Sequence, residues 1–160
     1  MTQVEEDQMD DEDPEEILVE LLEEVASGFG VRCEVAVETR EGVLHGSLEG
    51  EDVARLIGRR GQTIDAIQHL AQRIVFPGGG TGLRVAIDVD GYRARREQTL
   101  REDADDAAEE ALRLGRAVEL EPMPASERRV VHEHLRERGG VLTHSEGEEP
   151  ERYLVVTPAE

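Results

Sequence analysis

Two glycines three residues apart, Gly58 and Gly61, lie between a short segment ending in Leu56-Ile57 and a longer one opening with Gln62-Thr63-Ile64. The longer segment carries Ile64, Ile67, Leu70, Ala71, Ile74 and Val75 at helical spacing, which predicts a helix burying all six on one face. The shorter segment, Glu51 to Ile57, reads as a brief helix. Pro77-Gly78-Gly79-Gly80 stops the long one, and Leu83, Val85, Ile87 and Val89 alternate as a strand. A helix–glycine hinge–helix unit flanked by strands leaves few folds open, because both helices must cover one sheet.

The flanks supply that sheet. Cys33, Val35 and Val37 alternate with polar residues, and so do Leu44, Gly46 and Leu48, with Glu41-Gly42 between them. This reads as a hairpin with a tight turn. Ahead of it, Ile17, Leu18, Leu21, Leu22 and Val25 predict a helix over 15–27, stopped by Gly28 and Gly30. The order is helix, strand, strand, helix, glycine loop, helix, strand, a domain of about 15–91. After Asp90-Gly91 a second domain, 92–160, is expected. Its elements are a long helix to Leu114, a short strand over 117–121, a helix to Arg138, and strands over 141–144 and 152–156. The fold class is α+β.

Charge sets a problem for any phosphate-binding reading. The chain has 38 acids against 18 bases, a net of −20, and an evenly acidic protein repels nucleic acid. The acids are not even, however. Residues 1–24 hold twelve acids and no base, so the remainder carries 26 acids against 18 bases, every one an arginine. Residues 1–14 have little to bury and are expected to form a disordered acidic tail. No apolar run approaches the roughly 20 residues of a membrane span, and no apolar stretch follows Met1. Stable membrane insertion and secretion are therefore not expected, and the expected location is cytoplasmic. The one cysteine, Cys33, has no intramolecular partner and reads as a small core side chain.

Chemistry concentrates at Gly58-Arg59-Arg60-Gly61. Glycines bring the backbone close to a ligand, the loop opens a helix whose free N–H groups and dipole favour an anion, and Arg59 and Arg60 sit at the tip to pair with phosphate. A second pair, Arg128 and His132, falls four apart on a predicted helix and so shares a face. A guanidinium can hold phosphate with two hydrogen bonds, and an imidazole can donate to phosphate or stack on a base. Spacing alone favours a surface pair with no ligand. Arg129 points elsewhere on that helix and is a weaker candidate. Arg93, Arg95, Arg96 and Arg101 crowd the first turns of the long helix, against the helix dipole. Two readings stay open for them: further phosphate contacts, chiefly Arg93 and Arg96, or a solvated network with Glu97, Glu102 and Asp103.

These motifs resemble a family. The element order around the Gly-x-x-Gly loop is similar to a type II KH domain. Asp88-Val89-Asp90-Gly91-Tyr92-Arg93, Glu121-Pro122-Met123-Pro124, Glu127-Arg128-Arg129-Val130-Val131-His132 and Ser145-Glu146-Gly147-Glu148-Glu149-Pro150 resemble the bacterial Jag (SpoIIIJ-associated, KhpB) family. Its members join a KH domain to an Arg-x-x-x-His (R-three-H) domain. The resemblance implies binding of single-stranded RNA, a second small KH protein as partner, and effects on envelope growth and cell shape. It also turns the Arg128/His132 pair toward RNA contact. Many members begin with a further N-terminal domain, and only an acidic tail is expected here.

Other chemistries lack their signatures. Gly78 to Gly82 is followed by no Gly-Lys-Ser/Thr, so it is not a P-loop. Asp88-x-Asp90-Gly91 has Ala86 where a calcium loop needs its first ligand. His132-Glu133-His134 lacks zinc-ligand spacing. No metal or other cofactor is expected, and no enzymatic activity. The rivals to an RNA binder are a protein-interaction module on a degenerate KH fold and a nucleic-acid hydrolase. Single-stranded DNA remains the alternative ligand.

Overall fold

The computed structural model describes residues 13–79 and 82–159, in two compact units that divide between Tyr92 and Arg93. The expected tail lies outside the described residues up to position 12. Asp13 and Pro14 belong instead to the first helix, α1 (Pro14–Gly28): the Asp13 carboxylate caps it by accepting from the Glu15 N–H at 3.0 Å, and proline fits its first turn.

In the first unit β1 (Glu34–Arg40) and β2 (Val43–Glu49) pair antiparallel across Glu41-Gly42, both with positive φ (50° and 76°), the hairpin turn whose twist matches its strands. The chain then runs through a one-turn helix α2 (Ala54–Ile57), a 3₁₀ turn at Arg59–Gly61 and α3 (Gln62–Val75). It returns as β3 (Arg84–Val89), parallel to β2, so the sheet order is β1-β2-β3. Leu18 and Leu22 of α1, Leu44 and Leu48 of β2, Leu56, Ile64, Ile67, Ala71 and Val75, and Val85, Ile87 and Val89 make one core. Cys33 packs half-buried against it, and burial pushes its thiol pKa up, as for a small apolar side chain.

The expected six-residue face of α3 is too wide. Ile64, Ile67, Ala71 and Val75 are buried, but Leu70 is 50% and Ile74 43% exposed. At about 100° per residue those two fall on one flank of the buried stripe, beyond the reach of a three-stranded sheet. Leu83, expected in the strand, precedes β3 and is also exposed. The opposite flank of α3 holds Gln68 and Gln72, which close the edge of β3. Gln72 Oε1 accepts from the Val85 N–H (2.7 Å), its Nε2 donates to the Leu83 carbonyl (3.2 Å), and Gln68 Oε1 accepts from the Ile87 N–H (2.9 Å). An edge paired in this way offers less backbone to a stray strand.

The second unit contains α4 (Tyr92–Leu114), β4 (Val118–Glu119), α5 (Ala125–Arg138), β5 (Val141–Glu146) and β6 (Tyr153–Pro158). Its sheet runs β4-β6-β5, antiparallel throughout. Leu100, Ala104, Ala107, Ala108 and Ala111 of α4 share a core with Val131 and Leu135 of α5 and Leu154 and Val156 of β6. Ion pairs join the helices at two levels. Arg96 Nε and Nη2 donate to the Glu127 carboxylate at 2.9 and 2.8 Å. Asp105 accepts from Arg138 Nη1 (2.7 Å) and lies 3.1 Å from His134 Nε2. Burial pushes the Asp105 carboxyl pKa up, but hydrogen bonds and charge from Arg138 and His134 outweigh it, and the net shift is downward.

Candidate nucleic-acid interface

The Gly58–Gly61 loop takes its shape from its own backbone. Gly58 has φ 73° and ψ −173°, and Gly61 has φ 81° and ψ 9°. Arg60 between them is left-handed as well (φ 52°, ψ 33°). An arginine in helical geometry followed by a left-handed residue turns successive N–H groups toward one side, a concavity suited to an anion. No side chain caps α3, so the turn leads into the positive end of a 14-residue helix. Arg59 is exposed and Arg60 half-buried beside it.

The glycines also serve the protein itself. A Cβ on Gly58 would stand 2.7 Å from Thr63 Cβ and 2.9 Å from its backbone nitrogen, and one on Gly61 would stand 2.8 Å from the Tyr92 ring. Internal packing by itself therefore requires glycine at both positions. Thr63 of α3 and Tyr92 at the start of α4 thus pack against the loop, a role that their sequence motifs did not state. The usable signal was topological: β2 and β3 are parallel, with the Asp90 N–H bonded to the Leu48 carbonyl at 3.0 Å. The residue just after β3 therefore arrives at the sheet end where α2 begins.

In the second unit Arg128 and His132 do different things. Arg128 is buried, 8% exposed; Nη1 donates to the Met123 carbonyl at 2.7 Å and Nη2 to Glu149 Oε1 at 2.5 Å. Its guanidinium ties the segment before α5 to the turn before β6, and Glu149, 57% exposed, covers its outer side. His132 is exposed at the seam between α5 and β5, with Nδ1 hydrogen-bonded to the Thr143 hydroxyl. Arg129 pairs with Glu133 one turn on, at 2.9 Å.

The arginines at the start of α4 favour the charge-network reading, with one expected partner, Glu97, and one from another helix, Glu127. Arg96 holds Glu127 of α5, and Arg101 holds Glu97 at 2.6 Å. Arg93 is exposed and has partners of its own. No group of three or more potential metal ligands occurs among the described residues.

A KH-domain model of the KhpA/KhpB type matches residues 15–87, and an R-three-H domain model matches residues 98–158. The chain belongs to the Jag (KhpB) family. It is 37% identical over 141 residues to an RNA-binding protein KhpB of Clostridium symbiosum, covering 87% of this chain and 64% of that one. To the RNA-binding protein KhpB of Bacillus subtilis it is 33% identical over 138 residues, covering 85% and 66%. To that of Lactiplantibacillus plantarum it is 44% identical over 101 residues, covering 63% and 31%. The chain thus spans less than two thirds of the length of these relatives.

Proposed function

We propose that the protein binds single-stranded RNA, with the Gly58–Gly61 loop clamping the phosphate backbone and the α5/β5 seam around His132 adding a second contact. The observation that carries this reading is the loop: two glycines and a left-handed Arg60 shape a turn suited to an anion at an uncapped helix start, beside exposed Arg59. Members of the KH class clamp about four backbone nucleotides with such a loop. The relatives named above are RNA-binding proteins. Arg128 supports the second site from within, and Arg93 stands as a further contact; Arg96 and Arg129 are committed to Glu127 and Glu133. The role is binding without turnover, carried out in the cytoplasm with consequences for cell shape. Binding of a labelled single-stranded RNA that weakens with salt, with no cleavage when divalent metal is added, is the expected result. Salt-independent affinity, or RNA cleavage, defeats the reading.

A second small KH protein is the partner we propose, and the exposed Leu70 and Ile74 on α3 favour a protein contact beside the RNA site. Replacing both with aspartate is expected to abolish capture of that partner while leaving RNA affinity within about twofold.

A further inference from the structure

The seam between α5 and β5 carries a feature that neither the domain assignment nor the Arg-x-x-x-His spacing contains. On β5, Val141, Thr143 and Ser145 alternate toward the interior, while Leu142, His144 and Glu146 are exposed. β5 is an edge strand, since the sheet order is β4-β6-β5. Thr143 therefore stands at the rim of the core, opposite the turn of α5 that follows Arg128 and Val131. There its hydroxyl meets His132 Nδ1. The two nitrogens of an imidazole point in nearly opposite directions, so a ring held by Nδ1 directs Nε2 away from β5.

We infer that Thr143 is the positioning residue of the second RNA contact: it orients the His132 ring so that Nε2–H is the group offered to an RNA phosphate oxygen. This rests on the proposed RNA-binding role of His132. The chemistry of the hydroxyl makes it suitable. Threonine both donates and accepts. Donating to a bare Nδ1, it leaves a neutral ring with its single proton on Nε2. Accepting from Nδ1–H, it holds a charged ring whose Nε2 also bears a proton. In these two states the outward nitrogen is a donor, as a phosphate acceptor requires; the hydroxyl can equally accept from a neutral ring protonated on Nδ1. The other neutral tautomer would turn a lone pair toward the phosphate and is disfavoured there. The second nitrogen of a working histidine sets its role in this way at many sites. An exposed histidine without such a partner would have to be ordered by the RNA itself, which weakens binding.

The test uses the full chain, a labelled single-stranded RNA long enough to occupy both contacts, and the ring nitrogen signals of His132 by NMR. Thr143→Val keeps the shape and removes the hydroxyl. It is expected to weaken RNA binding about two- to tenfold, in the range of one missing hydrogen bond, and to shift the His132 ring nitrogen signals in the free protein as Nδ1 loses its partner. Thr143→Ser is expected to restore both readouts. Combining Thr143→Val with His132→Ala is expected to cost no more than His132→Ala alone, since both act on the same interaction. If His132→Ala weakens binding but Thr143→Val changes neither affinity nor the ring nitrogen signals, the positioning role is wrong and the His132 contact stands. If His132→Ala binds like the wild type, the second contact itself is wrong and the inference goes with it. Should Thr143→Val fail to fold, Thr143→Ala and Thr143→Ser decide the matter by affinity and the same nitrogen signals.

Discussion

The loop of the first unit and the α5/β5 seam of the second are both arginine-bearing sites at helical turns, yet they are built in opposite ways. At Gly58–Gly61 the backbone makes the site: three positive-φ residues shape it, and Arg59 faces solvent. At the seam side chains make it. Arg128 is turned inward onto Met123 and Glu149, and the exposed group is His132. The comparison teaches that an arginine in a recognition motif is not necessarily the group that meets the ligand. A buried guanidinium bonded to a carbonyl and a carboxylate is a structural joint, because leaving its partners unpaired is costly.

The sharpest way to break this comparison is through the loop glycine that has no room. Gly58→Ala adds a Cβ 2.9 Å from a backbone nitrogen, at a positive φ. Strain of about 1–2 kcal/mol from φ and about 1–3 from overpacking are expected to lower the first unit's stability by about 2–5 kcal/mol. RNA binding should be lost at the same time. Thermal unfolding followed separately for each unit checks this; a stable variant that still binds RNA would show that the loop has slack.

Arg128→Ala tests the other side. It is expected to destabilise the second unit by about 1–3 kcal/mol, and Arg128→Lys to recover little, since an ammonium cannot span both partners. If Arg128→Ala is fully stable and RNA affinity alone falls, Arg128 meets the ligand, as is proposed for Arg59, and the contrast collapses.

Arg59→Asp combined with Arg60→Asp is the matching change at an exposed site. Stability should hardly move, because aspartate tolerates the left-handed conformation at position 60 comparatively well. RNA affinity is expected to fall more than about tenfold at low salt, with the salt slope flattening by about 0.7 for each phosphate no longer neutralised. Unchanged binding by a folded double variant removes the loop from the proposed site.

The smallest effect is expected away from both sites, at Asp105. Its pKa is lowered in the folded protein, so it stabilises the second unit above the ordinary aspartate range and ceases to do so as pH falls through it. Asp105→Asn is expected to cost a few tenths to about 1 kcal/mol at pH 7, as for a partly exposed pair. The gap should close below about pH 4, near the unperturbed aspartate value. A gap that widens on acidification would contradict the pairing with Arg138 and His134.

Much of the fold was legible in the chain because it depends on short-range rules. Alternation marked β2, β3 and the hairpin, and Glu41-Gly42 between the two alternating runs marked its turn. Apolar spacing located α1 and α3, and the glycine pair located the loop between α2 and α3. These signals are local: a side chain's period along an element and a glycine's backbone freedom need no knowledge of what lies across the core. What the spacing of residues left undecided was decided by neighbours distant in sequence. Leu70 and Ile74 are exposed because the sheet beneath α3 has only three strands. Arg96 belongs to Glu127, 31 residues away, where the sequence offered only acids on its own helix, Glu97, Glu102 and Asp103. Arg128 is sealed by Glu149, His132 is held by Thr143, and Gly61 must be bare because Tyr92 crosses it. A four-residue spacing states that two side chains share a helix face. Which of them is buried depends on what packs against that face, and only the tertiary structure brings that partner into place.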